Sequence, residues 1–272
     1  MKFKVIFALF NVVVVLSFLF IFLMPVFFLG WDYTQLFWSS NWILAAAFAA
    51  VMIGLNAYFL SNWKLFTYLE SEDWQGLIGY LEDRIYRKGR ISRQRIRVLV
   101  NTYVVVANTD KIAALEDHLR ERAPSYLPRF ALHFGIPHLV GNNPQDIEAY
   151  YGEMRQNPQC RDRTWIDWSY AFALMLQEKH EDAKEVLRSL LKEAKNPILR
   201  LLTVYLMDAF SVSDNEIRNL VVEEKRRLQS SYSSSQWERE LEKNRGNLQV
   251  VVLSRLIRDA SNWVFGDGSQ AA

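Results

Sequence analysis

The sequence predicts an all-α protein: an N-terminal transmembrane helical hairpin followed by a right-handed α-solenoid of about four to five helix pairs. Three observations predict it. Residues 1–63 carry only Lys2, Lys4 and Asp32, whereas residues 64–272 carry 30 Lys/Arg and 29 Asp/Glu. Asp residues recur at helix-like starts, at Asp73, Asp110, Asp146, Asp182 and Asp214, with spacings of 37, 36, 36 and 32 residues, and a period near 34–36 is that of a two-helix unit. No strand is required: the run Val104-Val105-Val106 is β-branched, but Ile96, Leu99, Val100 and Tyr103 recur at helical spacing.

The hairpin, residues 1–60, comes first. Residues 5–29 contain no charge and are interrupted only by Asn11, Ser17 and Pro25, and about 20 apolar residues span a bilayer core as helix. A cleaved signal peptide would share the basic start at Lys2 and Lys4, but this run is roughly twice as long as usual and lacks a small-x-small cleavage site. Pro25 stands near the far end, where one lost backbone bond is tolerable. The second span is expected over residues 42–60. It includes the small-residue stretch 45–50 and Gly54, which pack either against the first span or against a membrane partner. Residues 30–41, with Trp31, Tyr33 and Trp38 and no Lys or Arg, are expected to form a short outside turn. Basic residues flank the other ends of both spans, at Lys2 and Lys4 and from Lys64 onward, so the positive-inside rule places both termini in the cytoplasm. The expected location is the bacterial inner (cytoplasmic) membrane, as a multi-pass protein.

The solenoid is expected over residues 61–229. Amphipathic helices follow Asp110, Asp146 and Asp182 and stop at Pro124, Pro158 and Pro197, because proline does not continue a helix. More apolar helices precede them at 93–107, 126–140 and 164–177, and another at 197–210 precedes Asp214; Pro137 should kink the second of these. Asn143-Pro144 and Asn196-Pro197 read as cap-then-proline starts, and Ser213 with Glu216 as a capping box. The helix at 73–88 needs a partner, which residues 61–70 supply; span two is then expected to run unbroken from residue 43 to 70, about 42 Å. Residues 230–235 have loop composition, and residues 236–265 form either an end cap or a partner-binding helix. Residues 266–272 are expected to be disordered.

The pattern resembles the tetratricopeptide repeat (TPR) family. In residues 165–197, Ala171 takes the small position of that family's first helix, and Ala183, Leu187 and the closing Pro197 match its second. One period back, Gly135 preserves the small residue; two periods back, Leu99 does not. The resemblance implies a concave face formed by the first helices, with Arg93, Tyr103, Arg129, His133, Trp165 and Trp168 on or near it as candidate groove residues. For Trp165 and Trp168 an inter-repeat core position is the competing reading, since tryptophan at helical spacing is usually buried.

Composition narrows the chemistry. The near-neutral residues 64–272 give no net-charge argument for nucleic acid, and the single Cys160 forms no intrachain disulfide. His118, His133, His138 and His180 lack metal-ligand spacing. No phosphate loop or Gly-x-Ser-x-Gly motif occurs. No catalytic residue, metal or cofactor is therefore expected. The block Arg84, Arg87, Lys88, Arg90, Arg93, Arg95 and Arg97 is a candidate lipid-facing surface, each residue gaining about 1 kcal/mol from anionic lipid, or simply a topology determinant. The expected role is a noncatalytic protein–protein scaffold or adaptor. The alternative is an accessory subunit of a transporter, synthase or motor acting through its hairpin.

Overall fold

The computed structural model describes residues 3–141 and 143–266, and every regular element among them is helical. Lys2 and residues 267–272 of the tail expected at 266–272 lie outside the described residues, as does the side chain of Lys4. The chain divides into two compact units, one ending at Arg90 and one beginning at Ile91.

In the first unit, α1 (Phe3–Leu29) and α2 (Trp31–Ser61) join through Gly30, whose φ of 83° suits glycine. Both helices are long and apolar enough to cross a membrane. The turn expected at 30–41 is instead helical from Trp31, with only a bend at Asn41 (φ −118°, ψ 21°) where the second span was expected to begin. Side chains hold that segment in place: Asp32 favours the helix start, and the Trp38 indole stacks 4.6 Å from Phe22 and donates to its carbonyl at 3.2 Å. The hairpin interface is aromatic, with Phe18 stacked on Phe48 at 4.3 Å and Phe7 against Phe59 at 4.9 Å. Ala46, Ala47, Ala49, Ala50 and Gly54 point away from it. Of the two expected placements for the small-residue stretch, these exposed members do not take the one on span one, where bulky rings form the interface, and of its small residues only Ala45 is half-buried.

The expected continuous helix from 43 to 70 is interrupted at Asn62 (φ −102°, ψ 9°), where α3 (Trp63–Glu70) begins. The Asn62 side-chain amide donates to the Tyr58 carbonyl at 2.9 Å, competing for the helix's own acceptor. Asp73 caps α4 (Trp74–Glu82) through the Gly76 N–H at 2.8 Å, and a π-helical turn, Asp83–Arg87, follows.

The second unit contains α5 (Arg93–Val105), α6 (Asp110–Arg122), a 3₁₀ turn (Pro124–Arg129), α7 (Ala131–Val140), α8 (Pro144–Gln156), α9 (Arg163–Leu176), α10 (His180–Glu193), α11 (Pro197–Asp208) and α12 (Asn215–Ser231). Asn143 and Asn196 cap α8 and α11 as expected. Asp214, not Ser213, caps α12; the Ser213 hydroxyl donates to the Phe210 carbonyl instead. The helix expected at 126–140 is divided at Phe130 (φ −119°), because Pro124 and Pro128 favour a 3₁₀ start, and Pro137 lies inside α7. The serine-rich break shrinks to Tyr232 and Ser233, after which α13 (Ser234–Lys243) begins on a capping box formed by Ser233 and Gln236. Then come α14 (Leu248–Val252) and α15 (Ser254–Phe265), separated at Leu253.

One turn recurs at the ends of α3, α5 and α9. Glu72, Ala107 and Glu178 each have φ between 52° and 58°. The following N–H groups, of Asp73, Asn108 and Lys179, bond back to Tyr68, Tyr103 and Leu174. These pairings satisfy carbonyls that a helix end leaves free. An apolar core runs from Trp165 and Trp168 through α10–α12 to Ile257 and Val264.

Candidate interaction surface

The first helices α7, α9 and α11 pack against one another in succession, and the C-terminal helices lie across them. Helix α15 packs on α11 and α12, where Trp263 meets Tyr205 edge-on at 5.6 Å and the Lys225 ammonium at 4.3 Å. The Gln229 amide donates to the Val264 carbonyl at 2.6 Å. Helix α14 reaches α7, where the Gln249 amide donates to the Leu132 carbonyl at 2.9 Å across 117 residues of sequence.

This arrangement sorts the six candidate groove residues. Trp168 is 0% and Trp165 5% exposed, and Tyr103 is fully buried, so these three belong to the core and offer nothing to an external ligand. The reason is the helical spacing of large apolar groups, which drives inward burial. Arg93, the first residue of α5, and Arg129, the last of the 3₁₀ turn, are exposed. His133 is half-buried, edge-on to Phe130 at 5.2 Å. Burial, aided by the neighbouring Arg97 charge, pulls its pKa down to about 4.

The basic block is less uniform than its sequence. Arg84 is half-buried with its guanidinium 5.2 Å from the Tyr80 ring, and Arg87 and Lys88 pair with Asp83. Those pairs hold the Asp83 carboxyl below its ordinary value. Arg90, Arg93 and Arg97 are exposed and Arg95 is half-buried. The block is divided by the boundary between the two units.

Sequence reasoning missed a charged cluster linking α6, α7 and α8. His138 Nδ1 lies 2.7 Å from Asp146 Oδ2 and its Nε2 4.0 Å from Glu116 Oε2, while its ring stacks on Tyr150 at 4.3 Å. Glu116 accepts from Arg120 at 2.8 Å, and Tyr150 donates to the Ala131 carbonyl at 2.8 Å. Burial lowers the His138 pKa, but Glu116 and Asp146 outweigh it and leave the imidazole above its ordinary value. The only sequence signal was a histidine eight residues before a helix-start aspartate. Gln249 was missed because nothing in its neighbourhood marks a contact so distant in sequence. Among the described residues, no group of three or more His, Cys, Asp or Glu side chains is placed to hold a metal ion.

The family described as "Uncharacterised Treponema protein" matches residues 111–266, more than half of the chain. The chain belongs to this family. The matched region runs from α6 through α15 and so contains both the charged cluster and the C-terminal helices. An uncharacterised protein of Treponema pallidum (strain Nichols) is 23% identical over 283 residues, covering 97% of this chain and 88% of the relative. No solved structure matches.

Proposed function

We propose that the protein is a membrane-anchored, noncatalytic scaffold or adaptor that presents a TPR-like solenoid at the cytoplasmic face of a bacterial inner membrane and gathers protein partners there. One observation carries the reading: apolar side chains such as Phe20, Phe27, Trp42 and Ile53 face outward on α1 and α2, while residues from Ile91 onward bury theirs between stacked helix pairs. Exposed apolar surface of that extent is stable only in lipid or against another protein. The basic residues that flank the spans support a cytoplasmic position for both termini on this reading. The buried aromatics shift the docking surface toward Arg93, Arg129 and His133 and toward whatever the C-terminal helices cover. Arg90, Arg93 and Arg97 supply anionic-lipid contact on this reading, with no cofactor and no nucleic acid required.

The test is crosslinking mass spectrometry on native membranes with a tag at Ala272, combined with protease access from each side. Reproducible links from α5–α11 to one partner, with the tag protected in intact cells, are expected. A tag cut from outside overturns the topology, and links confined to α1 and α2 favour the second reading. That reading, an accessory membrane subunit acting through its hairpin, is supported by the outward Ala46, Ala50 and Gly54. A Cβ added at Gly54 meets nothing within 4 Å, so a close helix partner has room there.

A further inference from the structure

We propose that α14 is a latch over the first-helix face, held shut by Gln249 and displaced by a partner segment of the same chemistry. The proposal deepens the scaffold reading and rests on it, because it says what guards the docking face. Gln249 is 2% exposed at a position flanked by Leu248 and three valines, where an aliphatic residue would bury at no polar cost. Its Nε2 donates to the Leu132 carbonyl, but its Oε1 has no hydrogen-bond partner among the described residues. A buried acceptor left unmade weakens the closed state, whereas the donated bond fixes its register. The latch is thus specific in placement and weak in hold.

Its surroundings agree. Helix α14 has five residues and ends at a non-helical Leu253 (φ −92°, ψ 15°), so it can leave without dragging α15 along a continuous helix. Helix α14 packs on α7 and α15, and its Val250 also borders open space on the α13 side. An open groove of about 840 Å³ lies between α13 and the α14–α15 segment, and Val251 is 48% exposed. The occupant that fits the vacated place carries an Asn or Gln amide to donate to the Leu132 carbonyl, followed by an aliphatic residue to take the buried site of Val250.

The test uses the full chain in detergent or nanodiscs and a labelled peptide of residues 244–256 as the probe. Val250→Asp places a charge in the latch's buried contact, and Gln249→Ala removes its hydrogen bond. Both variants are expected to speed hydrogen exchange at residues 247–253 at least tenfold while leaving α9 and α11 protected. Both should bind the peptide at least tenfold more tightly than wild type does, and a peptide carrying Gln249→Ala should bind less well. The proposal is overturned if faster exchange spreads into α9 and α11 in both variants, which makes α14 plain core, or if opened variants bind the peptide no better than wild type. A wild-type dimer whose exchange at 247–253 depends on protein concentration also overturns it, since α14 would then cover a second copy. Peptide binding alongside an absence of partner crosslinks in membranes would sink the scaffold reading and leave the latch standing.

Discussion

His138 and His133 occupy one helix yet respond to protons with opposite sign. His138 faces Glu116 on α6 and Asp146 on α8, and its pKa in the fold lies above the ordinary histidine value. The stability it contributes is therefore fully present below about pH 6.5 and is lost as pH rises through the folded value. His133, buried near Arg97 and lowered to about 4, remains neutral in the fold while an unfolded chain protonates near 6.5. Stability is lost as pH falls from about 6.5 toward 4. Thermal unfolding followed by circular dichroism should show His138→Gln removing the gain on acidification from pH 8 to 6.5, and His133→Gln removing the loss below it; identical pH profiles for both variants and wild type would refute the assignment. A second contrast separates core from surface. Trp168→Ala should cost about 3–5 kcal/mol and Arg93→Ala about 0.5 kcal/mol or less, read from urea midpoints, whereas equal small effects would return Trp168 to the groove.

At the scale of elements, the repeated turn after α3, α5 and α9 places a non-glycine residue in left-handed backbone each time. Glycine adopts that conformation without the Cβ penalty, so Glu178→Gly should stabilise the protein by about 0.5–1 kcal/mol, net of glycine's greater unfolded-state entropy. A lowered urea midpoint would show that the Glu178 side chain contributes more than its backbone strain costs. These turns also show what the sequence made legible. The Asp period located the pairs correctly, but only Asp73 and Asp214 are caps. Asp110, Asp146 and Asp182 sit in first turns, where the helix dipole favours them without fixing the boundary. The deeper regularity, at 72, 107 and 178, is carried by Glu, Ala and Glu, none of which advertises positive φ. Helix spacing was readable because it is local and periodic. Burial of Trp165, the reach of Gln249 to Leu132 and the pairing of His138 with Glu116 depend on how pairs stack, which no local pattern encodes.

For the whole molecule, the two units face different solvation problems. The unit beginning at Ile91 carries its own core, so residues 91–272 produced alone should remain soluble, helical and cooperatively unfolding. Aggregation or loss of the cooperative transition would show that the preceding residues are needed to complete the fold. The hairpin, by contrast, has more length than a membrane requires. Helix α2 contains 31 residues, about 46 Å against a hydrocarbon thickness of about 30 Å. The stretch from Trp31 to Ser40, ahead of the bend at Asn41, accounts for about 15 Å of that length. The hairpin therefore ends in stiff, aromatic-rich helix, pinned by Trp38 against Phe22, where a short turn was expected.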